Sequence, residues 1–175
     1  MSEPDAKYDP ADGSVMLSGT QALVRVPLEQ RRRDALAGLN TGGFICGYRG
    51  SPLGTYDLEL WRVQDRMKAA NVHFQPGVNE DLAATAVWGT QYVNLYPGAT
   101  VDGVFGIWYG KTPGVERSAD ALHHANTAGT SPTGGVLALA GDDHAAKSSS
   151  RTGQSDDQLK SNGIPILYPS NVQEI

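Results

Sequence analysis

The sequence predicts an α/β domain, a three-layer parallel sheet with helices on both faces. Three observations predict it. Short apolar runs at residues 43–48, 72–75, 101–109, 135–140 and 164–168 alternate with longer stretches of helical periodicity, as strand and crossover helix do in a parallel sheet. A loop carrying Gly50, Pro52 and Gly54 follows the first run, where such sheets place their ligands. The chain has 175 residues and no internal repeat, so one domain is expected, and a chain of this size buries roughly 70% of its unfolded surface.

Residues 1–14 are polar and acidic and read as a tail, leaving 15–175 as the domain. A helical pattern spans 19–39, where Pro27 must kink the helix or restart it as a first helical residue. The strand at 43–48 runs through the glycine loop into a helical pattern at 56–70. The strand at 72–75 stops at Pro76 and Gly77, and a helix is expected over 81–94. Leu82, Ala83, Ala86, Val87 and Tyr92 recur there at helical spacing, which predicts an inward apolar face. The strand at 101–109 precedes a helix at 115–128, and the strand at 135–140 precedes a serine-rich stretch at 147–157. That stretch is the candidate for a mobile or ligand-ordered loop. A short helix at 156–161 and a fifth strand at 164–168 follow. The pattern then promises another helix where the sequence stops at NVQEI, so the chain reads as a fragment truncated at its carboxyl end.

The net charge of −5 argues against a nucleic-acid partner. No apolar run approaches the length of a membrane span and the amino terminus is no signal peptide, so a cytoplasmic, soluble protein is expected. Cys46 is the one cysteine and lies within an apolar strand, which predicts a small packed core residue. A four-cysteine iron–sulfur cluster cannot be built from this chain. Neither G-x-G-x-x-G nor G-x-x-x-x-G-K-[ST] is present, so dinucleotide and P-loop readings find no support.

Glu80, in GVNEDLAATAVWGTQ, is the residue on which function turns. It stands between a strand end and a helix start. One reading is structural: an acidic residue in a first helical turn stabilises by some tenths of a kcal/mol and does no chemistry. The other is a functional carboxylate at the sheet's carboxyl edge.

The segments GYRGSPLG, NEDLAATAVWGTQ, the run containing WYGK, PGV, an Arg, an Asp, a His and an Asn (residues 108–126), and IPILYPSNVQEI together resemble a known family. They are similar to the amino-terminal region of the indolepyruvate ferredoxin oxidoreductases, the long fused bacterial form of the thiamine diphosphate-dependent 2-oxoacid:ferredoxin oxidoreductases. The resemblance covers the chain from about Gly13 onward. It implies a pyrimidine-binding domain in which Glu80 matches the cofactor-activating glutamate. It also implies thiamine diphosphate with Mg²⁺ shared with a domain absent here, and 4Fe–4S clusters elsewhere in the full-length protein. A 2-oxo acid, coenzyme A and ferredoxin would be the partners, with other domains of the same protein and a homo-oligomer. No nucleic acid, membrane or metal ligand within this chain is implied.

The thiamine chemistry explains why a carboxyl group is needed. A carboxyl engaging the pyrimidine N1′ favours the imino tautomer, whose N4′ sits beside the C2 proton that must leave. Such a group should be partly desolvated, and a helix start flanked by Val78, Leu82 and Ala83 is expected to provide that. By the same resemblance Tyr48, Arg49, Gly50, Ser51 and Pro52 line the thiazolium and substrate pocket, with Arg49 facing the substrate carboxylate. The competing reading is a turn built by Gly50, Pro52 and Gly54 with a solvated arginine. Trp108, Tyr109, Gly110 and Lys111 end a strand at the same edge and are candidates to contact pyrimidine or substrate, although Trp and Tyr are commonly core residues.

His123 and His124 lie about 100° apart around a helix and cannot easily share one metal, so one is expected to be packed or at an interface. Asp142, Asp143 and His144 follow a strand and carry metal-ligand chemistry, but the resemblance implies that Mg²⁺ sits in the diphosphate-binding domain, so they are expected to cap the next segment or to meet that domain. Two readings from other classes stand beside the enzyme: a non-catalytic α/β assembly domain, and a flavodoxin-like nucleotide-binding module.

Overall fold

The computed structural model describes residues 6–9, 14–50 and 53–175. Four parallel strands, β1 (Gly42–Gly47), β2 (Val72–Phe74), β3 (Val104–Gly110) and β4 (Gly135–Ala140), form a sheet in the order β2-β1-β3-β4. The helix α1 (Gly19–Leu36) precedes β1. Helices α2 (Gly54–Arg62) and α3 (Gln64–Ala69) join β1 to β2, and α4 (Glu80–Gly89) carries the chain past β1 to β3. Helices α5 (Thr112–Arg117) and α6 (Ala119–Ala128) join β3 to β4, which α7 (Ser155–Ser161) follows.

The step from β1 to β2 runs one way along the sheet and the later steps run the other. Crossovers of one hand must therefore put α2 and α3 on one face and α4 to α6 on the opposite face. Strand alternation supplies a core to each. Ile45, Ile107 and Tyr109 join Val24, Tyr56, Leu60 and Met67 on the first face. Cys46 and Trp108 point the other way and meet Ala83, Val87, Val115 and Leu122.

The parallel α/β class agrees with the sequence, but several boundaries move. Helix α1 runs through Pro27, held at its start by a capping box between Ser18 and Gln21. The single helix expected over 56–70 breaks at Val63. That over 115–128 starts earlier, at Thr112, and breaks at Ser118. Beyond Gly89 the expected helix tightens into a 3-10 turn, Thr90–Leu95.

Two expectations are corrected. The sheet has four strands, because residues 164–168 pair with no strand among the described residues. Ile164 and Ile166 pack on the second core while Leu167 and Tyr168 are both exposed, so the in-and-out alternation of a strand stops at Leu167 and no ladder forms. Within the polar tail, residues 6–9 are held to the domain: Tyr8 is buried against the first core and donates a hydrogen bond from its hydroxyl to Glu59 Oε2 at 2.8 Å. Among the described residues no helix is long and apolar enough to cross a membrane.

Candidate functional site

The direction of chain travel reverses between β1 and β3, and the crevice outside the carboxyl ends of those strands is where open α/β sheets bind ligands. Three segments meet there: the loop after β1, the start of α4, and the turn from β3 into α5. The loop entering α4 is tied to β1 by the Gly77 N–H, which donates to the Gly47 carbonyl at 2.8 Å.

Glu80 is the first residue of α4. Asn79 caps the helix through Oδ1, which accepts the Leu82 N–H at 2.8 Å. The Trp108 indole N–H donates to the Glu80 carbonyl at 3.0 Å, pinning the helix start to the end of β3. The Glu80 side chain is only 16% exposed, with Oε2 3.9 Å from Arg117 Nε, and the arginine side chain is largely in solvent. Its shelter differs from the sequence expectation, because Val78 and Leu82 are 82% and 55% exposed. Ala83 alone of the three is buried, and the inward face of α4 is Ala83, Ala84 and Val87, with Leu82 and Ala86 turned outward. Glu80 is covered instead by α5, where Gly114 lies against its side chain.

Tyr48 and Arg49 are exposed at the end of β1, and the Tyr48 N–H donates to the Tyr109 carbonyl at 3.2 Å. Gly50 lies against the methylene stem of Lys111, and the Lys111 ammonium donates to the Ser148 carbonyl at 2.7 Å. The structure therefore brings Gly50 and Lys111 together and ties the serine-rich loop to them. Ser51 and Pro52 lie outside the described residues. Trp108 and Tyr109 are fully buried, so they touch the site through Glu80 and Tyr48 backbone rather than by lining a cleft.

Tyr109 shows a pairing that sequence reasoning missed. Its hydroxyl donates to buried Asp57 on α2, and burial, reinforced by that carboxylate, holds the phenol far above its ordinary range. Burial likewise pushes the Cys46 thiol up to about 11, which keeps it an unreactive core group.

The loop between β4 and α7 is fastened at several points. Asp142 accepts from the Ser155 N–H at 3.0 Å and from the Ser155 hydroxyl, at the start of α7. Burial opposes ionisation of Asp142, but these bonds and one from Thr112 outweigh it and hold the carboxyl below its ordinary value. Asp143 accepts from the Ser148 N–H at 2.7 Å, and Arg151 pairs with Glu116 at 2.5 Å. Both aspartates thus fasten the segment that follows β4. His124 stacks on Trp88 with centroids 6.2 Å apart and lies 3.5 Å from Asp120, His123 meets His124 edge-on at 6.0 Å, and both histidines are exposed rather than packed in the core. Among the described residues no group of three or more His, Cys, Asp or Glu side chains is placed to hold a metal ion.

A groove of about 430 Å³ lies between α1 and the first residues of β3 and β4, lined by Pro27, Gln30, Asp34, Phe105 and Leu137. It opens at the opposite end of the strands from Glu80. The residues that sequence reasoning missed at the site itself are Gly114 and Arg117. Their signal was their place, PGV and Arg, in the run after WYGK.

Comparison with models of known protein families, with curated proteins and with solved structures found no match to this chain.

Proposed function

We propose that the chain is the pyrimidine-binding part of a thiamine diphosphate-dependent oxidoreductase that oxidatively decarboxylates 2-oxo acids of the arylpyruvate class, passing electrons to ferredoxin. The observation that carries this reading is Glu80: a carboxylate shielded from solvent, on the first residue of a helix, beside the carboxyl edge of a parallel sheet. A merely favourable charge at a helix start needs no such shelter, since it stabilises the helix at the surface too. The resemblance of GYRGSPLG, NED and the WYGK run to that enzyme family supplies the chemistry.

Bound thiamine diphosphate would supply the carbon nucleophile and the electron sink for decarboxylation. Glu80 is the residue of this chain that fits it, because a shielded carboxyl can share a proton with the pyrimidine N1′. Trp108 holds the backbone at that point, so the carboxyl approaches from a fixed origin. Arg49, exposed at the end of β1, is free to meet the substrate carboxylate. The diphosphate and Mg²⁺ fall to another domain of the same protein in this reading, as do coenzyme A, ferredoxin and the 4Fe–4S clusters.

Glu80→Gln in the complete enzyme tests the assignment. The amide keeps the shape and cannot share the proton as an acid does, so hydrogen–deuterium exchange at thiamine C2 should fall by orders of magnitude while the protein stays folded. An unchanged exchange rate sinks the reading.

The strand order favours one other reading. The order β2-β1-β3-β4 is also the beginning of a flavodoxin-like sheet, whose ligand sits at the same switch point. Stoichiometric quenching of flavin fluorescence on titration with this chain would establish that module and displace the thiamine proposal.

A further inference from the structure

A glycine inside a helix is costly without a reason, because alanine is favoured there by roughly 1 kcal/mol. Gly114 lies within α5, has no positive φ and is buried. Its backbone therefore does not require glycine. Its surroundings do: a Cβ at this position would stand 2.5 Å from Glu80 Cγ, 3.0 Å from Oε1 and 3.1 Å from Cδ. The atoms it would meet belong to a flexible side chain, not to backbone. Adding a methyl group would thus press first on the Glu80 side chain and move its carboxylate. One turn along the same short helix, Arg117 reaches Oε2 from the solvent side.

We infer that Gly114 and Arg117 are positioning residues for Glu80: the missing side chain at 114 makes the seat in which the carboxylate lies, and Arg117 closes its open side. The inference rests on the reading of Glu80 as the cofactor's carboxyl partner. The Arg117 contact is long and solvent-exposed, so its share in holding the carboxylate is the smaller one.

The test is a double-mutant cycle in the complete enzyme, read by C2 exchange and by cofactor affinity. Gly114→Ala alone should lower the exchange rate about tenfold to a hundredfold, as small misplacements of a reacting group do, while affinity and thermal stability change little. Added to Glu80→Gln it should cause no further loss. Arg117→Gln should give a smaller loss of about two- to fivefold, restored by Arg117→Lys and absent in the Glu80→Gln background. Should Gly114→Ala not fold, the Arg117 cycle decides alone. Unchanged exchange in both single variants, or the same fractional loss with and without Glu80, overturns the inference while leaving Glu80 its role. Full exchange in Glu80→Gln itself overturns both.

Discussion

Strands β3 and β4 run side by side in one parallel ladder, paired from Phe105 with Gly135 to Gly110 with Ala140, yet they live in different surroundings. From Gly106 to Gly110, β3 is buried throughout; in β4, Val136 and Leu137 are each 41% exposed. The ladder is common to both, so it cannot be what buries β3. A second strand neighbour, β1, and helices against both faces do that. The candidate site rests on the inner strand, where Trp108 is locked on every side. The outer strand contributes the tethered loop above the edge and leaves one flank without a strand.

The largest expected difference between the strands is in stability. Trp108→Ala should cost about 3–5 kcal/mol, the range for emptying a large aromatic from a packed core. Leu137→Ala on β4 should cost no more than about 1 kcal/mol, as for a half-exposed position. Urea denaturation of the two variants measures this, and equal costs would show that the outer strand is as well packed as the inner.

A smaller, functional difference concerns cations at the ends of the strands. Arg49 follows β1 and Lys147 follows β4; both are exposed. Arg49→Ala in the complete enzyme should raise KM for the 2-oxo acid by about 1.5–3 kcal/mol in binding terms, the strength of a charged hydrogen bond. Lys147→Ala should leave KM unchanged. Equal kinetics in both would return Arg49 to a solvated turn.

The smallest effect concerns pH. The folded-state carboxyl of Asp142 titrates below its unfolded value, so its contribution to stability is complete above that value and fades as pH falls through the folded one. With the ordinary Asp value near 3.9, the urea midpoint of the parent should drop between about pH 5 and pH 2. In Asp142→Asn it should drop less over the same interval. Parallel pH curves would mean that Asp142 does not hold the loop after β4.

Four of the five strands were legible because apolar runs in a parallel sheet are short and bounded by glycine, proline or polar segments. The fifth was misread for a physical reason. Ile164 and Ile166 face inward, so the apolar run records burial, but it does not record whether a strand stands beside the backbone, and Leu167 and Tyr168 are both left exposed. The breaks at Val63 and Ser118 carry no glycine or proline, and helical periodicity passes through them unmarked. At the site, Glu80 was visible from its junction between strand and helix. Its cover was not: apolar Val78 and Leu82 looked like walls, while the real wall is a glycine 34 positions later, whose contribution is the absence of a side chain.

The hydrogen bond from Trp108 to the Glu80 carbonyl gives the molecule a built-in reporter. The three tryptophans sit in three distinct states. Trp61 is half exposed, the Trp88 indole N–H is buried without a partner, and that of Trp108 is bonded at 3.0 Å. Their indole nitrogens should therefore give three well-separated proton–nitrogen resonances, of which one is attached to the backbone of Glu80. Whatever settles against that carboxylate, whether cofactor, inhibitor or another domain, should shift the helix start and with it this single resonance, so occupancy can be read on nitrogen-15-labelled protein without substrate or turnover.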